Sequence, residues 1–252
     1  MIRLSDCIFA DWPAPESVVA VSTTRCGGRS VAPFDKLNLG LHVGDQAEHV
    51  LQNRKRLEHD LSLPQSPCWL DQVHGERVLE LPPIKPSKLQ ADAAFTRQEG
   101  VVCAVLTADC LPVFFTDKEG RYVAVAHAGW RGLLAGVLLS TLARLPIPPG
   151  QVMVWLGPAI GPKHFAVGDE VRQSFVQCQQ DYQQAFVSDG GKWLMDIWLL
   201  ARVQLQRAGV SQIFGGGLCT VTDHERFFSF RRDGITGRMA HLIWINPRGS
   251  HG

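Results

Sequence analysis

Three short segments carry residue types that stand apart from the rest of the chain. They are Asp71-Gln72-Val73-His74-Gly75, Thr107-Ala108-Asp109-Cys110-Leu111-Pro112 and Ala126-His127-Ala128-Gly129-Trp130-Arg131-Gly132. Each sets an imidazole or a thiol at the end of an apolar stretch. His74 and Cys110 lie 36 residues apart, and Cys110 and His127 lie 17 apart. Those gaps are far too long for a zinc-finger knuckle, but they suit ligands that a folded sheet gathers at its strand ends. Imidazole and thiolate together favour zinc, and copper competes for the same donors. Three protein ligands leave a fourth position for water, which zinc acidifies to a pKa of roughly 7. Each residue also has an ordinary reading, the histidines as hydrogen-bonded structural groups and the cysteine as core. In a metal-free alternative, Cys110 is a nucleophile and His127 its base.

An anionic substrate needs its own cradle. Arg25, Gly27, Gly28 and Arg29 directly follow an apolar strand. Glycines let a backbone approach an anion and arginine offers a two-pronged donor, although the same residues also make a solvated turn. Arg131-Gly132 sits at a predicted helix start, where backbone N–H groups and a guanidinium would face one anion. Arg231 and Arg232 are read as neighbours on a strand, so they face opposite ways and only one, Arg231, is a substrate-binding candidate. Asp109 is a candidate acid/base or a turn cap, and Asn38 orients a sugar or ends a turn. Cys219, after a glycine run, reads as structural.

The elements that must position these residues follow from periodicity. Val18–Thr24 reads as a strand and Asp45 to about Leu61 as a helix. Short strands are predicted near Trp69–Val73 and Val78–Leu81, followed by a proline-rich loop over 81–89. The apolar middle gives strands at Val101–Thr107, Pro112–Thr116 and Tyr122–Ala126, the last two joined by the turn Asp117-Lys118-Glu119-Gly120. One helix is predicted over Leu133–Leu145, stopped by prolines, then a strand at Val152–Leu156. Helices at Asp169–Gln179 and Leu194–Ala208 and strands at Ile213–Gly215, Phe227–Phe230 and Leu242–Ile245 complete the chain. Short turns between strands demand antiparallel neighbours. The expected class is therefore α+β, with helices covering mixed sheets, in a single domain over 1–252.

Composition narrows the function classes. The formal net charge of +1 gives no long-range pull on nucleic acid or anionic membranes. No stretch is apolar enough to span a bilayer and the first residues do not read as a secretory signal. Seven cysteines, an odd number without a CxxC pair, point to reduced thiols in a cytoplasmic protein. The end, Arg248-Gly249-Ser250-His251, resembles a tag remnant, and oligomeric state is open.

The segments Ser22-Thr23-Thr24-Arg25-Cys26-Gly27-Gly28-Arg29-Ser30, Leu37-Asn38-Leu39-Gly40, Gln72-Val73-His74-Gly75, Ala91-Asp92-Ala93 and Thr107-Ala108-Asp109-Cys110-Leu111-Pro112 recur in one known family. So do Ala126-His127-Ala128-Gly129-Trp130-Arg131-Gly132, Gly157-Pro158-Ala159-Ile160-Gly161-Pro162 and Phe227-Phe228-Ser229-Phe230-Arg231-Arg232-Asp233-Gly234. Through them the chain resembles the purine nucleoside phosphorylase family, also called laccase-like multicopper polyphenol oxidases or peptidoglycan editing factors. The resemblance implies a zinc site at His74, Cys110 and His127. It also implies a layered α/β/β/α fold similar to bacterial-toxin cysteine hydrolases. The implied activity is phosphorolysis of adenosine, inosine, guanosine and methylthioadenosine, with adenosine deamination beside it. The implied substrates are therefore small molecules, a purine nucleoside and phosphate.

Two rival functions stay open. A true laccase would carry His-x-His pairs, and nine histidines here include none; copper in the zinc site is a separate possibility. A Cys110–His127 amidase acting on peptidoglycan precursors needs no metal. Standard HExxH, GxSxG, Walker A and PCxxC motifs are absent from the sequence.

Overall fold

Along the central strands every residue is buried, and alternate side chains enter different cores, as pleating requires. In the computed structural model, which describes residues 2–83 and 89–247, the first half of the chain forms strands β1 (Ile8–Phe9), β2 (Val18–Ser22), β3 (Cys68–Trp69), β4 (Val78–Glu80), β5 (Ala93–Thr96), β6 (Cys103–Thr107) and β7 (Leu111–Asp117). The second half adds β8 (Val123–Ala128), β9 (Val152–Leu156), β10 (Ala166–Val167), β11 (Phe186–Asp189), β12 (Lys192–Met195), β13 (Gln212–Gly215) and β14 (Met239–Ile245). The helices are α1 (Ala47–Asp60), α2 (Trp130–Ala135), α3 (Val137–Arg144), α4 (Asp169–Cys178), α5 (Ile197–Arg207) and α6 (Phe230–Asp233).

Two mixed sheets dominate, one of order β1-β2-β14-β6-β3 and one of order β13-β9-β7-β8-β5-β4, with a small β10-β12-β11 sheet beside them. Val18, Ala20, Cys103, Val105, Ile243 and Ile245 of the first pack against Phe114, Val123, Val125 and Trp155 of the second. The alternate residues of the second sheet, among them Val113, Phe115, Ala124, Ala126 and Val154, meet Val137, Leu138 and Leu142 of α3 and Leu200, Ala201 and Leu205 of α5. On the far face of the first sheet, Val21, Ala104, Leu106, Leu242 and Trp244 share a core with Leu57 of α1. The result is the expected α+β class in four layers, helix, sheet, sheet, helix, held by apolar burial on every sheet face.

Several predicted elements are revised. Phe227–Phe230 is not a strand: Phe227 and Phe228 are buried in a loop, and Ser229 accepts the Arg232 N–H to cap α6. Arg231 and Arg232 thus sit on a helical turn rather than on opposite faces of a strand. The helix expected over Leu133–Leu145 begins earlier, at Trp130, and breaks into α2 and α3 at Gly136, whose φ is 99°. The helix expected from Leu194 starts at Ile197, because Asp196 accepts the Leu199 N–H and Lys192–Met195 pairs with Phe186–Asp189 instead. Strand β3 ends at Trp69 rather than Val73. Most of the loop predicted over 81–89, and the tag-like tail, lie outside the described residues. No described helix is long and apolar enough to cross a membrane.

Candidate metal centre and its cavity

Antiparallel register explains how residues far apart in sequence meet. The β7–β8 hairpin sets Pro112 opposite His127, and the β5–β8 pair sets Ala93 opposite Ala126. Cys110, His127 and Asp92 therefore converge at one end of the second sheet. His74 arrives on the loop after β3. Gln72 ties that loop to β6 by donating to the Leu106 carbonyl and accepting the Leu106 N–H at 2.9 and 2.7 Å. His74 and Asp109 hold φ of 60° and 95°, a region that non-glycine residues enter at a cost and that clusters at functional sites.

The ligand atoms of His74, Cys110 and His127 all lie within 4.8 Å of one another. Neighbouring donors of a tetrahedral zinc stand about 3.3–3.7 Å apart, so small side-chain adjustments would close the set around an ion. Gly129 leaves the room for this: a Cβ there would lie 2.9 Å from the Cys110 Sγ and 3.2 Å from His74. Two imidazoles and one thiolate make a donor set that holds zinc or copper.

Asp92 organises the centre. Its carboxylate is fully buried and accepts the N–H groups of Val73, His74 and Gly75 at 3.1, 2.9 and 2.7 Å. It also pairs with His127 Nδ1 at 2.8 Å, which leaves Nε2 to face the cluster. Burial pushes this carboxyl up, but the hydrogen bonds from His127, Gly75 and Val73 and the His127 charge bring it below its usual value. Burial pushes the Cys110 thiol up, yet the His127 charge and hydrogen bonds from both histidines bring it down to about 6. Burial pushes His127 down, while Cys110 and Asp92 bring it up to about 9. Both shifts favour the thiolate–imidazolium form of the pair, and a metal held here would take the thiolate and a neutral imidazole.

The cluster opens into a cavity of about 490 Å³ whose walls include Trp130, Phe165 and Phe230 as well as Arg131, Arg231 and Arg238. Each arginine lies over one of those rings, Arg131 over Trp130 at 4.3 Å, Arg231 over Phe165 at 5.4 Å and Arg238 over Phe230 at 6.0 Å. The volume falls in the range of small-molecule binding sites.

Of the other predicted site residues, Asp109 lines the cavity, but its two carboxylate oxygens accept from Thr220 Oγ1 and the Arg231 N–H, both at 2.6 Å. It locks the Cys110 turn to α6. Arg131 and Arg231 line the cavity; Arg231 also donates to the carbonyls of His164 and Ala166. Arg25 and Asn38 do not line it. Arg25 is paired with Asp35 at 3.2 Å and donates to the carbonyls of Asp35 and His224. Asn38 is fully buried and holds Gly40, Asp45 and the Arg238 N–H. The cradle expected around Arg25 is a tied-down turn, since Gly28 packs against the Lys36 backbone. Cys219 accepts the Gly161 N–H at 3.2 Å at the edge of a more open hollow that contains none of the three candidate ligands. Sequence reasoning missed Asp92, Gln72 and Arg238. A carboxylate inside the apolar run Ala91-Asp92-Ala93-Ala94 was the available signal, because a buried acid demands several partners.

The model of the multi-copper polyphenol oxidoreductase laccase family matches residues 19–246. The chain is 51% identical over 242 residues to a protein of Escherichia coli (strain K12) named purine nucleoside phosphorylase YfiH, covering 96% of this chain and 100% of that protein. It is likewise 51% identical over 237 residues to purine nucleoside phosphorylase PA4543 of Pseudomonas aeruginosa, covering 93% and 96%. The crystal structure of Neisseria meningitidis protein NMB0706 superposes with a TM-score of 0.92 at 45% identity, covering 96% and 100%. That of YlmD from Geobacillus stearothermophilus gives 0.82 at 32% identity, covering 92% and 93%. A three-donor cluster at the floor of a layered α+β fold, matched across nearly its whole length, places the chain in the laccase-like multi-copper polyphenol oxidoreductase family, whose YfiH-type members it resembles throughout.

Proposed function

We propose that the protein is a cytoplasmic purine nucleoside phosphorylase that binds zinc through His74, Cys110 and His127 and acts on adenosine, inosine, guanosine and methylthioadenosine. The observation that carries this reading is the single cavity that joins the His–Cys–His cluster to aromatic and cationic walls. The names of its relatives support it, and seven unpaired cysteines suit a reducing compartment. When bound, zinc supplies a Lewis acid and a water that ionises near neutral pH. The protein's own groups bind and orient. Trp130, Phe165 and Phe230 offer faces for a purine, and the arginines favour a phosphate dianion. Phosphate oxygen bonds to C1′ as the C1′–N9 bond breaks, and the purine leaves with its electron pair and takes a proton. Catalysis of this kind rests on positioning and on stabilising the departing base. Adenosine deamination, by attack of water on C6, is a side activity that the same site would support.

A second reading has its own observation. Cys110, His127 and Asp92 form a thiol–imidazole–carboxylate chain, which suits a metal-free amidase. Copper-dependent oxidation of phenols rests on the family description alone. One experiment separates them: metal content by elemental analysis, then product analysis from adenosine with and without phosphate. The expected result is about one zinc per chain, with adenine that forms only when phosphate is present and is lost in His127→Ala. Chelator-resistant release of an amino acid from a cell-wall precursor, abolished in Cys110→Ala and without any purine product, would replace it with the amidase.

A further inference from the structure

Three guanidinium groups reach the cavity, and they are not equivalent. Arg131 is exposed at the rim, on the six-residue helix α2, with its charge over Trp130. Arg231 is exposed, with one end of its fork given to two carbonyls. Arg238 is half-buried at the entry to β14 and lines the cavity beside His42. It uses Nη1 for the carbonyls of Thr236 and Gly237, each at 3.0 Å, and among the described residues no carboxylate forms an ion pair with it. Burial lowers its pKa, and the opposing charges that act on it are those of Cys110 and Asp109. Asp109 is itself committed to Thr220 and the Arg231 N–H. A half-buried cation without a partner is costly unless a ligand supplies the missing charge.

Arg238 is also held at its backbone and along its stem. Asn38 Oδ1 accepts its backbone N–H at 2.9 Å, and Asn38 is fixed in turn by Asp45 and Gly40. Gly40 is bare where the arginine stem crosses it, since a Cβ there would lie 2.8 Å from Arg238 Cγ. The stretch Leu37-Asn38-Leu39-Gly40 is therefore a clamp for this side chain. A preorganised fork on a strand end is the arrangement that binds a phosphate dianion through two prongs.

We propose that Arg238, with His42 beside it, is the phosphate subsite of the cavity and that its occupant is free inorganic phosphate. This rests on the phosphorolysis reading for its role in turnover, but not for binding itself. The test therefore has two arms. In the first, inorganic phosphate is titrated into the zinc-loaded protein and followed by thermal shift and calorimetry. Wild type is expected to bind and Arg238→Gln to lose that binding, with Arg238→Lys keeping part of it. In the second, steady-state kinetics with adenosine should show a phosphate KM raised at least tenfold in Arg238→Gln, with the adenosine KM within twofold of wild type. His42→Ala, at an exposed position, should raise the phosphate KM in the same direction and guards against misfolding of the arginine variants. Absence of phosphate binding in wild type, or its loss in Arg131→Gln or Arg231→Gln but not in Arg238→Gln, overturns the assignment. Adenosine 5′-monophosphate that binds more tightly than adenosine in phosphate-free buffer, with the preference gone in Arg238→Gln, overturns the choice of free phosphate over a nucleotide's phosphate. Phosphate binding that depends on Arg238 without any purine release leaves the subsite standing and removes the phosphorolysis reading.

Discussion

Asp92 is the residue on which the centre's geometry depends, although it is not itself a candidate ligand. One carboxylate fixes the tautomer of His127 and pulls in three successive N–H groups around His74, so both imidazoles are aimed by the same group. Replacement by asparagine keeps the size and removes the charge and one acceptor. Such supporting partners typically carry about 10–100-fold in metal affinity. Asp92→Asn is therefore expected to weaken zinc binding by that factor, measured by competition with a chromophoric chelator, while Cys110→Ser weakens it further. An unchanged affinity would show that the backbone alone holds the ligands. The proximity of His74, Cys110 and His127 was legible because His and Cys at strand ends are chemically conspicuous. Asp92 stands out in the sequence only within the Ala91-Asp92-Ala93 segment of the family resemblance. Its meaning lies in four hydrogen bonds from segments 17 to 35 residues away, and no local pattern reports them. Arg25 is the opposite case: glycines next to arginine look like an anion cradle, and here the guanidinium pairs with Asp35, ten residues on.

At the level of elements, strand-like apolar runs located nine of the eleven strands of the two large sheets and missed the two-residue edge strand β1 and the short Ala93–Thr96 strand β5. They also failed where a local cap decided the matter. Phe227-Phe228-Ser229-Phe230 has strand-like aromatic content, yet the serine caps a helical turn and Phe227 and Phe228 fill a core pocket with Met239. The hairpin β11–β12 turns at Gly190-Gly191, a signal masked by the apolar run that leads into α5. Gly136 is a sharper case, because a lone glycine inside an apolar helical pattern is usually tolerated. Here it ends α2 with a left-handed φ of 99° and starts α3 in a new direction, which lets α2 carry Trp130 and Arg131 to the cavity. An added methyl group has room, the nearest atom being Glu76 Oε2 at 3.6 Å, so the cost is conformational. Gly136→Ala should destabilise by about 1 kcal/mol, roughly 2–4 °C in Tm for a chain of this size, with zinc content unchanged. A Tm equal to or above wild type would mean that the helix break is not enforced by this residue.

At the level of the whole molecule, the two large sheets meet in an apolar core that contains one polar seam. His241 on β14 bonds Ser22 on β2 through Nδ1 and Thr107 on β6 through Nε2, both at 2.8 Å, and its ring lies 6.4 Å from Phe114 of the facing sheet. All three polar residues are at most 2% exposed, and Thr107 also lines the cavity, so the seam ties the sheet interface to the wall of the site. Neutral imidazole satisfies this arrangement, one nitrogen donating and the other accepting. Burial, reinforced by the His127 charge, pushes His241 down to about 3. Unfolded histidine titrates near 6.5, so below about pH 6.5 the unfolded chain takes up a proton that the folded chain refuses until about pH 3. Stability attributable to neutral His241 is therefore complete above about pH 6.5 and falls with acidification, by up to about 1.4 kcal/mol per pH unit. His127 is present in both wild type and a His241 variant, so its own titration cancels when the two are compared. His241→Gln keeps a donor and an acceptor for Ser22 and Thr107 but cannot titrate. Urea unfolding at pH 7 and pH 5 should show wild type losing about 2 kcal/mol more than the variant over that interval, since carboxylate effects common to both cancel. Parallel pH profiles for the two proteins would mean that water or rearrangement at the seam lets His241 accept its proton in the folded state.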